Sequence, residues 1–429
     1  MWWQFLLLAV LLTAAAGLVL PAKSSPNYSW QSATLEGVGS PLGAYETYVA
    51  SPENELPTSY VVFIPGNPGL AGYYSEFANG LRDRLGASVI VLGMVGHLSR
   101  TARSKLPRAE RGRLYGLDDQ LRHTVARAVA FQAAAGEAGV PFTLAGHSIG
   151  AWIALRAAQE LSTAVPNQLP RATKRSSSAA RPDRSPARPR PKNNLPEPRV
   201  LLITPFLEVP SSPALRFKRR LLHSPLLGGD SDVFEDPETQ SISASDGGSS
   251  NSAASFAAGA TPEVPAPSAT FGTLLREPIG VIAALLSTIP RRARRVALWP
   301  EIKSFSPGYQ AYTTQELLHR HAIRNVIFLG RTEFAFLDFP LDRQELQPLI
   351  VADRIRAAYV AGDEWAPLPL MDRLVEDTGL VAEEIESSPE EGIVMKHAFS
   401  VQPGSCDRVA DWAARSIGEM VMGIRSPMK

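Results

Sequence analysis

Cysteine and net charge are both scarce in this sequence. The 429 residues include one cysteine, Cys406, which excludes an internal disulfide framework. Its neighbours in 404–407, Gly-Ser-Cys-Asp, include no base or cation that would activate the thiol as a nucleophile. The 43 basic and 42 acidic side chains leave a net charge of +1, so no overall attraction to nucleic acid is expected. The composition instead predicts a globular chain with one large or two medium domains.

Charge is also missing from the start of the chain. Residues 1–22 are almost entirely apolar, and the first basic side chain is Lys23. A run of about 20 apolar residues can cross a bilayer as a helix. A cleaved signal peptide usually carries positive charge before its apolar stretch. Residues 1–22 are therefore predicted to be a hydrophobic anchor or a signal, and a retained anchor is favoured over cleavage.

Short apolar runs alternate with helical segments along most of the chain. Strands are predicted at 58–64, 87–94, 140–145, 199–205, 324–330, 354–362 and 392–396. Helices are predicted at 117–138, 151–164 and 407–424. Strands that alternate with helices of this length indicate an α/β fold, in which helices flank a mostly parallel central sheet.

Two low-complexity stretches interrupt this pattern. Residues 166–198 are basic and rich in Ser and Pro, and residues 228–268 are acidic and rich in Ser, Ala and Gly. Neither can bury enough apolar surface to offset the entropy of ordering, so both are predicted to be disordered. The remaining predicted divisions are an N-terminal half at 35–165, a core strand and loop at 199–214, a lid region at 215–307 around the acidic stretch, and a C-terminal half at 308–429.

The predicted lid contains an apolar run bounded by prolines. Residues 278–290 form this run, and Arg-Arg-Ala-Arg-Arg follows at 291–295. Apolar residues beside a cluster of arginines are typical of a surface that dips into a lipid interface. A buried helix of the lid explains the run equally well, and the residues alone leave both interpretations open.

Residues 146–150, Gly-His-Ser-Ile-Gly, lie between a predicted strand and a predicted helix. This is the G-x-S-x-G pattern in the context that gives it meaning. Ser148 is predicted to be a nucleophile on a sharp, strained turn, and Gly146 and Gly150 leave the space that the turn needs. The N–H of Ile149, which opens the following helix, is predicted to bind the oxyanion. An ordinary turn serine is the alternative.

A serine nucleophile needs a base and an acid, which in this architecture follow it in the order acid, then histidine. Three of the seven histidines precede Ser148, and three others lie in the irregular middle or in a helix-like segment. His397, after the last predicted strand, remains as the base. Asp363 directly follows the predicted strand 354–362. It is predicted to orient His397, with Glu364 and Asp372 as alternatives.

A second oxyanion donor is expected just after the first major strand. Residues 65–69, Pro-Gly-Asn-Pro-Gly, form a stiff turn there. Pro68 has no N–H, so the backbone N–H of Asn67 is the predicted donor, with Gly66 next. A plain rigid turn is the alternative. Nothing in the sequence requires a metal or an organic cofactor.

Five separated motifs together resemble the lipid droplet-associated hydrolases of the α/β-hydrolase superfamily. They are 63–69 (Phe-Ile-Pro-Gly-Asn-Pro-Gly), Tyr73-Tyr74 with Phe77, residues 146–150, Asp363-x-Trp365-x-Pro367, and His397-Ala398-Phe399. The resemblance covers the parts predicted to fold and misses residues 1–22 and both low-complexity stretches. It implies an α/β-hydrolase fold with a lid, a Ser148–Asp363–His397 triad, sterol-ester or acylglycerol substrates, and association with lipid droplets and the endoplasmic reticulum membrane.

The sequence therefore predicts a serine esterase or lipase that acts on lipid esters at a droplet or membrane surface, with no nucleic-acid partner. Two other functions stay open. The apolar N-terminus and residues 278–295 would suit a non-catalytic or weakly catalytic membrane-associated protein on the same fold. A transacylase or thioesterase would use the same triad, because these reactions share one tetrahedral intermediate.

Overall fold

A computed structural model of the chain describes residues 33–163, 195–222, 298–299, 302–338 and 341–424, except 39, 41 and 54. Its eight strands form one sheet: β1 Thr34–Glu36, β2 Tyr45–Ala50, β3 Tyr60–Ile64, β4 Ser88–Leu92, β5 Phe142–His147, β6 Arg199–Ile203, β7 Ile355–Tyr359 and β8 Ala382–Glu384. Their order across the sheet is β1-β2-β4-β3-β5-β6-β7-β8. β2 is antiparallel to both of its neighbours, and the pairs from β4 to β8 are parallel.

The helices are α1 Ser75–Leu85, α2 Arg100–Ser104, α3 Leu117–Ala138, α4 Ile149–Thr163, α5 Pro213–Leu222, α6 Pro307–Tyr312, α7 Arg320–Phe336, α8 Gln347–Val351, α9 Leu368–Thr378 and α10 Ser405–Met422. A π-helical turn, Thr313–Leu317, continues α6. The bounds of α3 are those predicted. Asp119 accepts a hydrogen bond from the N–H of Gly116 at its start, and Gly139 ends it in a left-handed conformation.

The central strands are buried along almost their whole length. Every residue of β4 and β5 is buried, as are four of the five in β3. Strands that are apolar on both sides need cover on both faces of the sheet. Two helix pairs contribute to that cover, since α1 packs against α10 and α3 packs against α4. The predicted α/β-hydrolase fold, a mostly parallel sheet flanked by helices, is confirmed.

The strand predicted at 324–330 is wrong, because these residues lie within α7. A short run of Val, Ile, Phe and Leu suits a buried strand and a buried helix equally well. Burial along the full 17 residues shows the difference, since Ala322, Asn325, Leu329 and Glu333 are buried at helical spacing. The seven residues 324–330 cover only about two helical turns, which is too short to distinguish the helical period from that of a strand.

The strand predicted at 392–396 is also wrong. Ile393 and Met395 point inward while Val394 is exposed, so the segment alternates as a half-buried strand does. Among the described residues, however, its only ladder contact is an isolated bridge from Ile393 to Ser388. The eighth strand is instead β8, an edge strand in which two of three residues are glutamates. Polar residues suit a strand at the edge of a sheet. A search for apolar runs does not detect such a strand.

Several predictions concern residues outside those described. They are the N-terminal segment 1–22, most of the basic stretch 166–198, the acidic stretch 228–268 and the apolar and arginine-rich run 278–295. The proposed domain divisions therefore stay predictions. Among the helices that the structure does describe, none has both the length and the apolar character required to cross a bilayer.

Candidate active site

Ser148 occupies the turn between β5 and α4, and its backbone is strained. Its φ of 55° lies in the left-handed region, which costs a residue with a side chain about 1–2 kcal/mol. A Cβ on Gly146 would lie 2.1 Å from the carbonyl oxygen of Gly150. A Cβ on Gly150 would lie 2.3 Å from the carbonyl oxygen of Ile64 on β3. Only glycine fits at these two positions, so the sequence predicts the sharp turn and its cause correctly.

The strained turn is held by its neighbours on the sheet. The N–H of Ser148 donates to the carbonyl of Ile203 over 3.0 Å, and the N–H of Phe206 donates to the carbonyl of Ser148 over 3.1 Å. Thr204, which follows β6 and lies between Ile203 and Phe206, also has a positive φ of 40°. Backbone strain concentrated at one edge of a sheet is typical of functional sites.

Three side chains from distant parts of the chain meet beside this turn. The Nε2 of His397 is 2.8 Å from the Oγ of Ser148, and its Nδ1 is 2.6 Å from the Oδ2 of Asp363. A carboxylate only accepts, so Nδ1–H donates to Asp363, and Nε2 of the neutral ring accepts from the serine hydroxyl. The Asp363 side chain is fully buried and that of His397 is 21% exposed, so the line runs from the interior toward solvent.

The carboxyl group of Asp363 is fixed by more than the histidine. Its Oδ1 accepts from the N–H of Trp365 over 2.8 Å and from the N–H of Ala366 over 3.2 Å. Burial alone would raise the pKa of Asp363, but the electrostatic attraction and hydrogen bond of the His397 ring, together with the two N–H groups, outweigh it. The pKa of this carboxyl is therefore lowered, and the group is ionised at neutral pH.

The two predicted oxyanion donors lie on the loop after β3 and at the start of α4. The N–H of Ile149 is the first of its helix, so no carbonyl of that helix can accept from it. Gly66, the alternative to Asn67, donates its N–H to the hydroxyl of Tyr74 over 3.0 Å. Within the described residues, the backbone N–H of Asn67 donates to no partner. The geometry therefore favours Asn67 over Gly66.

The side chain of Asn67 holds its loop against α7. Its Nδ2 donates to the carbonyl of Val326 over 3.0 Å and to the Oε1 of Glu333 over 3.2 Å. Burial raises the pKa of the Glu333 carboxyl to about 8, and the hydrogen bond from Asn67 offsets only part of that effect. A buried, protonated glutamate thus supports the loop that carries the predicted oxyanion donor. The sequence analysis did not predict this role, because Glu333 lies beyond the strand predicted at 324–330 and no helix was predicted there.

Replacing Glu333 with glutamine is expected to change how the free energy of unfolding depends on pH. The pKa of Glu333 is about 8 in the folded chain, against an ordinary value of 4.5. Between these values the folded state keeps a proton that the unfolded state has released, so stability falls as pH rises. E333Q keeps an acceptor for Asn67 without this penalty, and should exceed the parent at about pH 8 by on the order of 4 kcal/mol.

Urea unfolding of both proteins at about pH 5 and about pH 8 measures this difference. The matched control is E376Q, which changes an exposed glutamate on α9 and should leave the pH dependence of the parent unaltered. Parallel stability curves for E333Q and the parent across this range would contradict a protonated Glu333.

The alternative acids, and the described histidines other than His147 and His397, make no hydrogen bond to Asp363, His397 or Ser148. Glu364 pairs with the buried ammonium group of Lys218 over 3.0 Å, and Asp372 is exposed on α9. His223 lies outside the described residues. The structure also brings in His147, which sequence analysis set aside because it precedes Ser148. The rule about chain order concerns the base alone, and it gives no information on buried neighbours of the nucleophile.

Several solved structures resemble this chain at low sequence identity. The peroxisomal α/β-hydrolase Lpx1 from Saccharomyces cerevisiae is 14% identical, with 90% of this chain and 83% of that chain covered and a TM-score of 0.48. A soluble variant of monoglyceride lipase from Saccharomyces cerevisiae is 11% identical, with 93% and 99% covered and a TM-score of 0.48. A thioesterase domain from the curacin biosynthetic pathway is 12% identical, with 90% and 98% covered and a TM-score of 0.44.

The sequence comparisons are narrower and closer. Residues 57–169 match the family described as lipid-droplet associated hydrolase. The lipid droplet-associated hydrolase of Drosophila melanogaster is 40% identical over 100 residues, which are 22% of this chain and 31% of that protein. The chain thus spans about a third of the length of this relative. The predicted resemblance is confirmed over the part that contains β3, the loop of Asn67 and the Ser148 turn: in residues 57–169, this chain is similar to the lipid droplet-associated hydrolases.

Proposed function

We propose that this chain is a serine hydrolase that cleaves carboxylic esters of lipids. Ser148 is the nucleophile, His397 the general base and Asp363 the group that orients the base. The observation that carries the proposal is the unbroken line of hydrogen bonds from Asp363 through His397 to Ser148, over 2.6 and 2.8 Å, at a strained strand-to-helix turn. An ordinary turn serine has no need of either partner.

In the first half of the reaction, the Oγ of Ser148 attacks the ester carbonyl carbon while its proton moves to the Nε2 of His397. The carbonyl oxygen becomes an oxyanion, which the backbone N–H groups of Ile149 and Asn67 stabilise. The ionised Asp363 stabilises the imidazolium that forms. The carbon–oxygen bond to the alcohol then breaks, and the alcohol leaves with the proton from Nε2.

In the second half, a water molecule attacks the acyl group on Ser148. His397 accepts a proton from this water, and the same two N–H groups bind the second oxyanion. The bond from the acyl carbon to Oγ breaks, and the serine recovers its proton from Nε2. The products are one carboxylic acid and one alcohol, and the chain returns to its starting state.

Aromatic side chains beside the base support a lipid as the substrate. The ring of Trp365 is centred 6.2 Å from that of His397, and the ring of Phe206 lies 5.2 Å from Trp365 in edge-to-face contact. The match of residues 57–169 to lipid droplet-associated hydrolases also supports a lipid substrate. Sterol esters and acylglycerols, which the resemblance in sequence implies, are the candidates. The same match supports action at the droplet surface, whereas the endoplasmic reticulum membrane stays a prediction from the sequence.

A fluorophosphonate probe tests the proposal directly, because such reagents label serines that an adjacent base has activated. We expect the full chain to be labelled and S148A to give no label under the same conditions. Labelling of S148A equal to that of the parent would contradict the proposed nucleophile. An unlabelled parent that still binds droplets would favour a non-catalytic protein on this fold.

A substrate panel then separates the remaining chemistries. We expect p-nitrophenyl esters of medium chain length, emulsified acylglycerols and sterol esters to be hydrolysed in a Ser148-dependent manner. Faster cleavage of an acyl thioester than of the oxygen ester with the same acyl chain would favour a thioesterase. Transfer of the acyl group to an added alcohol in preference to water would favour a transacylase.

A further inference from the structure

The residue before the nucleophile, His147, is buried and has a partner at each ring nitrogen. Its Nε2 lies 2.7 Å from the backbone carbonyl oxygen of His397, and its Nδ1 lies 2.7 Å from the hydroxyl of Tyr74. A carbonyl oxygen has no hydrogen to give, so the hydrogen must be on Nε2, which donates to His397. One end of the ring is thus fixed to the backbone of the predicted base.

The direction of the hydrogen bond between His147 and Tyr74 follows from the protonation state of the His147 ring. Burial, together with the nearby ring of His397, lowers the pKa of His147 to about 3, so the ring is neutral and its Nδ1 carries a lone pair. Nδ1 therefore accepts from the Tyr74 hydroxyl, whose own pKa is raised by burial so that it keeps its proton. The Tyr74 oxygen in turn accepts from the N–H of Gly66 over 3.0 Å.

These contacts form a single directed chain of hydrogen bonds, which we name the relay: Gly66 N–H to Tyr74, Tyr74 O–H to His147, and His147 Nε2–H to the carbonyl of His397. It begins beside Asn67, on the loop of the predicted oxyanion donor. It ends at the loop of the predicted base. The two loops belong to opposite ends of the chain, and the relay joins them through the residue next to Ser148.

Packing leaves the relay little freedom to move. The ring of Phe399 is centred 5.1 Å from that of His147 in edge-to-face contact, and the ring of Phe63 lies 4.8 Å from that of Tyr74. A Cβ on Gly66 would lie 2.8 Å from the Nδ1 of His147. Buried hydrogen bonds with every donor and acceptor satisfied rigidify the groups that they connect.

We propose that Tyr74 and His147 are positioning residues, which hold the loop of Asn67 and the loop of His397 at a fixed separation across Ser148. The inference rests on the proposed function and extends it beyond the three triad side chains. During turnover the acylated Ser148 has no hydroxyl with which to hold His397. The relay then keeps the backbone of His397 in place while Asp363 holds its ring, so that water can be activated.

Substitution of Tyr74 tests the relay with a well-matched control. Y74F removes one buried hydroxyl and should lower kcat for a soluble p-nitrophenyl ester about tenfold with KM changed less than about twofold. Y73F removes the neighbouring buried hydroxyl, which is 2.8 Å from that of Thr313, and should leave kcat within about twofold of the parent. Equal effects of Y74F and Y73F would show general softening of the core and overturn the proposal.

Two substitutions of His147 ask whether hydrogen bonding or shape matters. H147F removes donor and acceptor together and should lower kcat about a hundredfold. H147Q offers an N–H and an oxygen on one planar group, so it should recover a substantial part of that loss. If H147Q were no more active than H147F at equal thermal stability, the ring's hydrogen bonds would have no positioning role.

A spectroscopic measurement on the parent needs no variant that could misfold. With ¹⁵N-labelled histidine, His147 should give the signals of a neutral ring protonated at Nε2, with no titration between about pH 5 and about pH 9. A protonated Nδ1, or titration near neutral pH, would overturn the relay. An active parent with a fully active Y74F would overturn the relay alone, whereas serine-independent turnover in the parent would overturn the proposed function.

Discussion

Replacing Ser148 with glycine is expected to destroy turnover and, relative to alanine at the same position, to stabilise the fold. In the proposed mechanism the Ser148 hydroxyl is the nucleophile, so its removal should lower kcat for a p-nitrophenyl ester by about 10⁵-fold. The φ of Ser148 is 55°, a conformation that glycine adopts without strain and alanine does not. S148G should therefore unfold with a free energy about 1 kcal/mol higher than S148A.

The comparison with S148A makes this prediction specific. Both variants lose the hydrogen bond to His397, so the difference between their urea unfolding curves reports the backbone strain less the extra conformational entropy of glycine in the unfolded chain. S148G no more stable than S148A would contradict strain of this size at the turn. Turnover by either variant at more than about a hundredth of the parental rate would contradict the nucleophile itself. Turnover and unfolding together measure how much stability the fold loses by placing the Ser148 hydroxyl at the edge of the sheet.

The convergence of Ser148, Asp363 and His397 follows from features that a sequence can show. In parallel strands joined by helices, every strand ends at the same edge, so residues just after β5 and β7 are brought near one another. Asp363 comes four residues after the end of β7, at Tyr359. Elimination among the histidines and an expected strand at 392–396 point to His397, and although that segment is a loop, it brings His397 to the same edge of the sheet. The prediction of His397 therefore depends on where this residue lies in the chain order and does not depend on whether residues 392–396 form a strand.

What the sequence could not show are contacts that depend on packing between distant segments. Nothing near His147 in the chain indicates that Tyr74, 73 residues earlier, lies against its ring. Glu333 lies in α7, and it becomes a buried partner of Asn67 only when α7 packs beside the loop after β3. The sequence analysis also does not predict the antiparallel strands β1 and β2. β1 has only three residues and β2 contains polar ones, so neither is an apolar run, and both depend on pairing with neighbouring strands.

The second large effect is expected from Asp363→Asn, which should lower kcat by about 10⁴-fold while the chain stays folded. The Oδ1 of Asp363 accepts from the N–H groups of Trp365 and Ala366. In the variant, the amide oxygen must keep that position, because an amide NH₂ there would face two donors. The NH₂ group is therefore directed at the Nδ1 of His397, which must then accept a hydrogen bond instead of donating one.

This reversal explains why a change of one atom should cost so much. When Nδ1 of the neutral ring accepts, the hydrogen moves to Nε2, and Nε2 can no longer take the proton of Ser148. The measurement is kcat for a p-nitrophenyl ester together with the melting temperature, which should change little. D372N serves as the control, since Asp372 is the exposed alternative acid on α9 and should matter less than about twofold. If D363N kept more than about a tenth of the parental kcat, the carboxylate would not be setting the ring's tautomer, and another group would have to orient His397.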